Sequence, residues 1–309
     1  MAFAFLFPGQ GSQSLKMMDG FADLPVVQHT FEEASDTLSL DLWAMLRADS
    51  ADAINATVNT QPIMLAAGYA TYLAWQELNG KQPSVVAGHS LGEYTALVAA
   101  GALPFAEAVK LVRLRAEAMQ AAVPAGAGAM AAILNLPDED IRAACAEAAQ
   151  GEVVEAVNFN SPGQVVIAGN KGAVERAMDL CKEKGAKRAL PLPVSVPSHC
   201  SLMRPAAERL AEALRDVHLS APAVPVLHNA DVASYNDAAQ IRDALTRQLF
   251  MPVRWTETIQ KLAAEGVTLM AECGPGKVLT GLAKRIDGNV KCLALTDRAA
   301  LEAAREELV

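Results

Sequence analysis

Apolar positions along the chain follow two rhythms. Phe3–Phe7 is an unbroken apolar run closed by Pro8-Gly9, which predicts a strand buried on both faces. Helical spacing then dominates to about residue 80, including Gln61–Leu78. A second short run, Ser84–Ala87, predicts a strand that leads into Gly88-His89-Ser90-Leu91-Gly92, with helices over Leu91–Ala100 and Pro104–Ala122. The small residues Val123-Pro124-Ala125-Gly126-Ala127-Gly128 read as a linker and a domain boundary.

A different order follows. Strand Ala129–Leu134, helix Pro137–Ala149, strands Val153–Phe159 and Gln164–Ala168, helix Gly172–Lys184 and strand Lys187–Leu192 give β-α-β-β-α-β, the order of a ferredoxin-like module. Beyond Pro191 and Pro193 the pattern returns to helices at Ser201–Arg215, Ala238–Leu249 and Trp255–Glu265, with strands at Val224–His228 and Val267–Glu272. Strands alternating with helices imply a mainly parallel sheet covered on both faces. The expected fold is therefore α/β, with a core from residues 1–124 and 195–309 and a small module inserted at 125–194.

Composition narrows the class. The 309 residues are 52% hydrophobic and 5% aromatic, a globular rather than disordered balance. A chain of this length buries roughly 75% of its unfolded surface, so neither metal nor disulfides are needed for stability. The net charge of −9 argues against nucleic acid as a general partner. Local basic clusters at Lys182, Lys184, Lys187 and Arg188, and at Lys284 and Arg285, could receive an acidic partner or be solvated helix ends. The longest apolar stretches, such as Leu97–Ala106, are interrupted by Gly101 and Pro104 and are too short for a membrane span. Residues 1–7 lack a basic leader, so no signal peptide is expected. Five cysteines without Cys-x-x-Cys spacing read as reduced thiols in the cytoplasm. Histidine, cysteine and acidic residues show no zinc-like spacing, and no metal site is expected.

Residues 88–92 carry the main chemical signal. A serine between two glycines, at a strand-to-helix turn, has the layout of a nucleophile elbow, where a Cβ at either glycine would clash. The helix N-terminus beside Ser90 favours a developing negative charge. A serine nucleophile needs a base. Of the five histidines, His29 and His218 fall in charged helical segments, and His228 ends a strand beside Asn229. His89 sits within the turn and is expected to pack there or bond to its backbone. His199 follows a segment stiffened by Pro193 and Pro197, which would hold an imidazole in place as a base requires. A structural histidine remains the alternative reading at this position. Arg115 lines up with Ala108, Leu111, Val112 and Met119 on the apolar stripe of its helix. A guanidinium there needs an anion, either an internal carboxylate or a substrate carboxylate held bidentately. Gly9-Gln10-Gly11 and Gly274-Pro275-Gly276-Lys277 match neither a dinucleotide fingerprint nor a P-loop. Both suit turns that bring backbone N–H groups close to a ligand.

Taken in order, these pieces resemble the stand-alone malonyl-CoA:acyl carrier protein transacylases of bacterial type II fatty acid synthesis. The resemblance rests on Phe7-Pro8-Gly9-Gln10-Gly11-Ser12-Gln13, Thr60-Gln61-Pro62, Gly88-His89-Ser90-Leu91-Gly92-Glu93-Tyr94, Arg113-Leu114-Arg115 and Asn158-Phe159-Asn160-Ser161-Pro162-Gly163-Gln164. It continues through Pro197-Ser198-His199, His228-Asn229-Ala230, Gln248-Leu249, Pro252-Val253-Arg254-Trp255 and Glu272-Cys273-Gly274-Pro275-Gly276. It implies a hydrolase-like α/β core with a ferredoxin-like insertion, agreeing with the pattern reading. It also implies Ser90 as nucleophile, His199 as general base and Arg115 as the grip on the malonyl carboxylate. The backbone N–H groups of Gln10 and Leu91 would form the oxyanion hole, and the Gln248 main-chain carbonyl would orient His199. The resemblance further implies malonyl-CoA as substrate, acyl carrier protein as partner, ping-pong transfer through a malonyl-serine, no cofactor and a monomer. An α/β-hydrolase esterase shares the elbow but places its acid before a late histidine and leaves Arg115 without a role. A non-catalytic docking module would not need Ser90, His199 and Arg115 together.

Overall fold

The computed structural model describes residues 2–194 and 196–308. Among them nine strands form two sheets. The larger contains β1 (Phe3–Phe7), β2 (Val85–Gly88), β7 (Val226–Leu227), β8 (Leu269–Glu272) and β9 (Lys291–Ala294) in the order β7-β2-β1-β8-β9, all parallel. The smaller contains β3 (Gly128–Leu134), β4 (Val154–Ser161), β5 (Gln164–Asn170) and β6 (Arg188–Pro191) in the order β4-β5-β3-β6, all antiparallel. Helices Asp138–Ala149 and Lys171–Glu183 complete the ferredoxin-like order. The α/β class with a parallel core sheet and an inserted antiparallel unit is the one the sequence predicts.

β1 shows why the core forms. All five of its residues are buried, as a strand with helices on both faces requires. Phe3, Phe5 and Phe7 project to one side, where their rings meet Tyr72 and Trp75 of helix Thr57–Glu77 edge-on. Ala4 and Leu6 project to the other, into a cluster with Trp255, Ile259 and Leu262 of helix Trp255–Ala264. No helix among the described residues is long and apolar enough to cross a membrane.

Some elements are shorter than predicted. β7 keeps only Val226 and Leu227, because the His228 N–H already turns to the Ala233 carbonyl. β8 begins at Leu269, since the Val267 N–H bonds to Leu262 and closes the preceding helix. β9, an edge strand, has no period that marks it in the sequence. The inserted sheet lies between Gly128 and Pro191, and the expected far boundary at Ser195 falls outside the described residues. β4 is fastened to the core by backbone bonds between Phe159, Val157 and Val253. The cleft between the two sheets thus opens above the C-terminal ends of β1 and β2, the usual ligand edge of a parallel sheet.

Candidate active site

The turn after β2 is tight enough to dictate its glycines. A Cβ on Gly88 would lie 1.9 Å from the Gly92 carbonyl carbon, and one on Gly92 would lie 2.0 Å from the Phe7 carbonyl oxygen. Ser90, between them, adopts the left-handed region at φ 53°, a conformation that costs a non-glycine residue about 1 kcal/mol or more. Asn229 holds it there. Its Oδ1 accepts from the Ser90 N–H at 2.7 Å, and its Nδ2 donates to the Gly88 carbonyl at 2.6 Å.

His199 is also left-handed, at φ 65°, and its N–H donates to the Leu249 carbonyl at 3.0 Å. That conformation aims the ring at the elbow. Nε2 lies 2.7 Å from Ser90 Oγ, and Nδ1 lies 2.7 Å from the Gln248 main-chain oxygen. A carbonyl can only accept, so Nδ1 carries the proton and Nε2 is free to take one from Ser90. Burial, then the charge of nearby Arg115, push the His199 pKa down to about 3. The imidazole is therefore neutral at physiological pH, the state a general base needs.

Arg115 lies on the buried face of helix Phe105–Ala122, with 1% of its surface exposed. Its guanidinium donates to Gln61 Oε1 at 2.8 Å and to Gln248 Oε1 at 3.1 Å, and stands 3.5 Å from Ser90 Oγ. It also sits over the Tyr94 ring at 5.5 Å. All these partners are neutral, and no carboxylate among the described residues lies within ion-pair distance. Its Nε has no hydrogen-bond partner among the described residues. Of the two readings left open by the sequence, an internal salt bridge is not the one present. Burial lowers the Arg115 pKa from its ordinary value, while a delocalised guanidinium is as a rule always charged in proteins.

Ser90, Leu91, Arg115, His199 and Gln10 line one cleft of about 120 Å3, together with Met119, Met130 and Asn158. The Gln10 and Leu91 N–H groups make no hydrogen bond to a protein acceptor among the described residues. The loop carrying Gln10 lies against the elbow: a Cβ on Gly9 would come 3.7 Å from Leu91 N. Backbone N–H groups left free on residues that line the same cleft as a serine nucleophile are the kind of donor that stabilises a tetrahedral oxyanion.

The other histidines have different places. His89 packs, as expected, with its ring edge-on to Trp255, and its Nε2 bonds to Asn160 Oδ1 at 2.7 Å, which joins the insertion to the core. His228 Nδ1 lies 2.6 Å from Glu93 Oε1, both fully buried. His29 and His218 are exposed. The Gly274–Gly276 turn does not line the cleft. A Cβ on Gly274 would press on Pro8, and the following helix is capped by Glu272, which accepts from Leu279 N and Thr280 N.

Three residues quoted in the sequence motifs were given no role there, and the structure places them around the site. Gln61 holds Arg115, Asn229 holds the elbow, and Glu93 anchors Gln248, Asn229 and His228. Glu93 had a detectable signal, an ionisable residue in an otherwise apolar helix, the same signal that marks Arg115.

An elbow serine 2.7 Å from a neutral imidazole, free backbone N–H groups on residues lining the same cleft and a buried cation 3.5 Å from the serine oxygen have the layout of an acyl-transfer site of the serine type. Comparison with known proteins gives the family. A family model described as the acyl transferase domain matches residues 4–289. A curated relative from Salmonella typhimurium, named malonyl CoA-acyl carrier protein transacylase, is 57% identical over 98% of both chains. The solved malonyl CoA-acyl carrier protein transacylase of Coxiella burnetii superposes with a TM-score of 0.98 at 48% identity, covering 100% of this chain and 98% of that one. A malonyl-transacylase solved in complex with its type II PKS acyl-carrier protein superposes equally, at 0.98 and 54% identity, covering 99% of this chain and 100% of that one. The chain belongs to the acyl transferase domain family and, within it, to the malonyl CoA-acyl carrier protein transacylases.

Proposed function

We propose that the protein transfers the malonyl group from malonyl-CoA to the phosphopantetheine thiol of an acyl carrier protein, through a malonyl ester on Ser90. The observation that carries this reading is the buried Arg115 guanidinium, paired among the described residues only with neutral groups and 3.5 Å from the serine oxygen. An acyl chain attached at Ser90 and ending in a carboxylate would meet that charge, whereas an acetyl group would leave it unpaired.

His199 Nε2 takes the Ser90 proton as Oγ attacks the thioester carbon. The Gln10 and Leu91 N–H groups receive the oxyanion. The carbon–sulfur bond then breaks, and coenzyme A leaves with the proton from His199. In the second half-reaction His199 deprotonates the carrier thiol, whose sulfur attacks the malonyl ester and returns Ser90 to its hydroxyl form. The steps call on the side chains and backbone groups named above and on no resident cofactor or metal, and a cytoplasmic monomer is proposed on the family resemblance alone. The exposed Lys284 and Arg285 on the core, and Lys187 and Arg188 at the start of β6, would face the acidic carrier.

Intact-protein mass spectrometry after brief mixing with malonyl-CoA tests the proposal. A malonyl-sized adduct is expected on the native chain, absent from Ser90→Ala, weak with acetyl-CoA and discharged by carrier protein. Coenzyme A release without an adduct would support the esterase instead. A malonyl preference that persists in Arg115→Ala would remove Arg115 from its role.

A further inference from the structure

Arg115 has a buried carboxylate close by that it does not reach. Glu93, fully buried in the first turn of helix Gly92–Ala99, accepts from His228 Nδ1 at 2.6 Å, Asn229 N at 2.9 Å and Gln248 Nε2 at 3.0 Å. The same Gln248 amide turns its oxygen to Arg115 at 3.1 Å. One neutral side chain therefore stands between the buried anion and the buried cation.

The amide can sit only one way round. Its nitrogen faces two acceptors, Glu93 Oε2 and the Ser90 carbonyl at 2.9 Å, and uses both hydrogens on them. Its oxygen faces a guanidinium, which can only donate. Flipping the amide would set oxygen against oxygen and nitrogen against nitrogen at every contact. Without an intervening dipole, Arg115 and Glu93 would attract strongly in this desolvated setting.

Resting on the function proposed above, we infer that the Gln248 side chain is a positioning residue that sets acyl specificity. It keeps Arg115 from pairing with Glu93 and so leaves the guanidinium for the substrate carboxylate. This role is separate from that of its main-chain carbonyl, which holds His199 and survives any side-chain change. His228 and Asn229 complete the arrangement by satisfying Glu93 without Arg115.

The test is the ratio of malonyl-CoA to acetyl-CoA loading rates on Ser90, measured for the full chain. Gln248→Met keeps the size and the backbone carbonyl but removes the polar spacer. We expect the ratio to fall at least about tenfold, mainly through a higher KM for malonyl-CoA, as a charge-assisted contact is lost. Adding Glu93→Gln removes the competing carboxylate and should restore most of the ratio, a rescue that a purely structural role would not give. If Gln248→Met does not fold, Gln248→Glu places a carboxylate directly on Arg115 and should lose the preference in the same way. An unchanged ratio in either single variant, or a further loss in the double variant, overturns the inference. A native chain without malonyl preference instead overturns the function on which it rests.

Discussion

Asn229→Ala is expected to loosen the elbow more than any change to the reacting groups. The side chain is 1% exposed and pairs two backbone groups, the Ser90 N–H and the Gly88 carbonyl. Truncation leaves both unpaired where water enters poorly. Each buried unpaired group costs about 1–3 kcal/mol, and partial relaxation brings the sum to roughly 2–4 kcal/mol of unfolding free energy. The same bond restrains Ser90 at φ 53°, so its loss also lets the serine oxygen drift from His199. A misplacement of this kind lowers the loading rate by about tenfold or more. Urea unfolding followed by the fluorescence of the buried Trp75 and Trp255 gives the first quantity, and quenched malonyl loading gives the second. A stability loss under about 0.5 kcal/mol with native loading would refute the reasoning. Asn229→Asp sharpens the comparison. It keeps an acceptor for Ser90 but turns an oxygen toward the Gly88 carbonyl and brings a second carboxylate near Glu93. It should therefore be less stable than Asn229→Ala.

Three further outcomes are expected. Gly88→Ala should fail to load malonyl, because its Cβ would meet backbone of Gly92 at 1.9 Å and Glu93 N at 2.4 Å, neither able to swing away; normal loading by mass spectrometry would contradict this. The folded pKa of His199, about 3, lies below its ordinary 6.5, so between those values the unfolded chain binds a proton that the folded chain refuses. This group withdraws stability as pH falls from 6.5 toward 3, and in His199→Gln urea midpoints should depend less on pH across that window; identical slopes would count against it. Reversing Lys284 and Arg285 to glutamate should raise the carrier's Michaelis constant and flatten its salt dependence while leaving malonyl-CoA loading native, and an unchanged carrier response would exclude that face.

The elbow and the insertion were legible because their causes are local. Gly88 and Gly92 are demanded by backbone within four residues of each other or by the strand next door, and the β4–β5 turn announces itself in Asn160-Ser161-Pro162-Gly163. Arg115 was legible as an anomaly on an apolar stripe, though not its partners. Gln61 and Gln248 lie on distant helices, and an amide carries no sequence signal for the guanidinium it will meet. Strand order was hidden for a similar reason. β7 was predicted, though longer than the two residues it keeps, whereas the edge strand β9 shows no period, and only parallel pairing with their neighbours sets the places of both in the order. The same limit applies to Asn229, which reads as a companion of His228 until the fold brings it beneath Ser90.

Recognition and base strength meet at Arg115. Its charge is the second cause, after burial, of the low His199 pKa. A carboxylate seated on the guanidinium would cancel most of that field and leave burial alone to act, so the imidazole becomes a stronger base once a malonyl group is in place. An acetyl group leaves the charge uncompensated and the base weaker. The carboxylate would thus contribute to selectivity twice, through its own contact and through His199. Transfer from malonyl-Ser90 to a small thiol should therefore show its acid limb at higher pH than transfer from acetyl-Ser90, and the difference should vanish in Arg115→Gln. Coincident limbs in the native protein would mean that Arg115 binds the substrate without tuning the base.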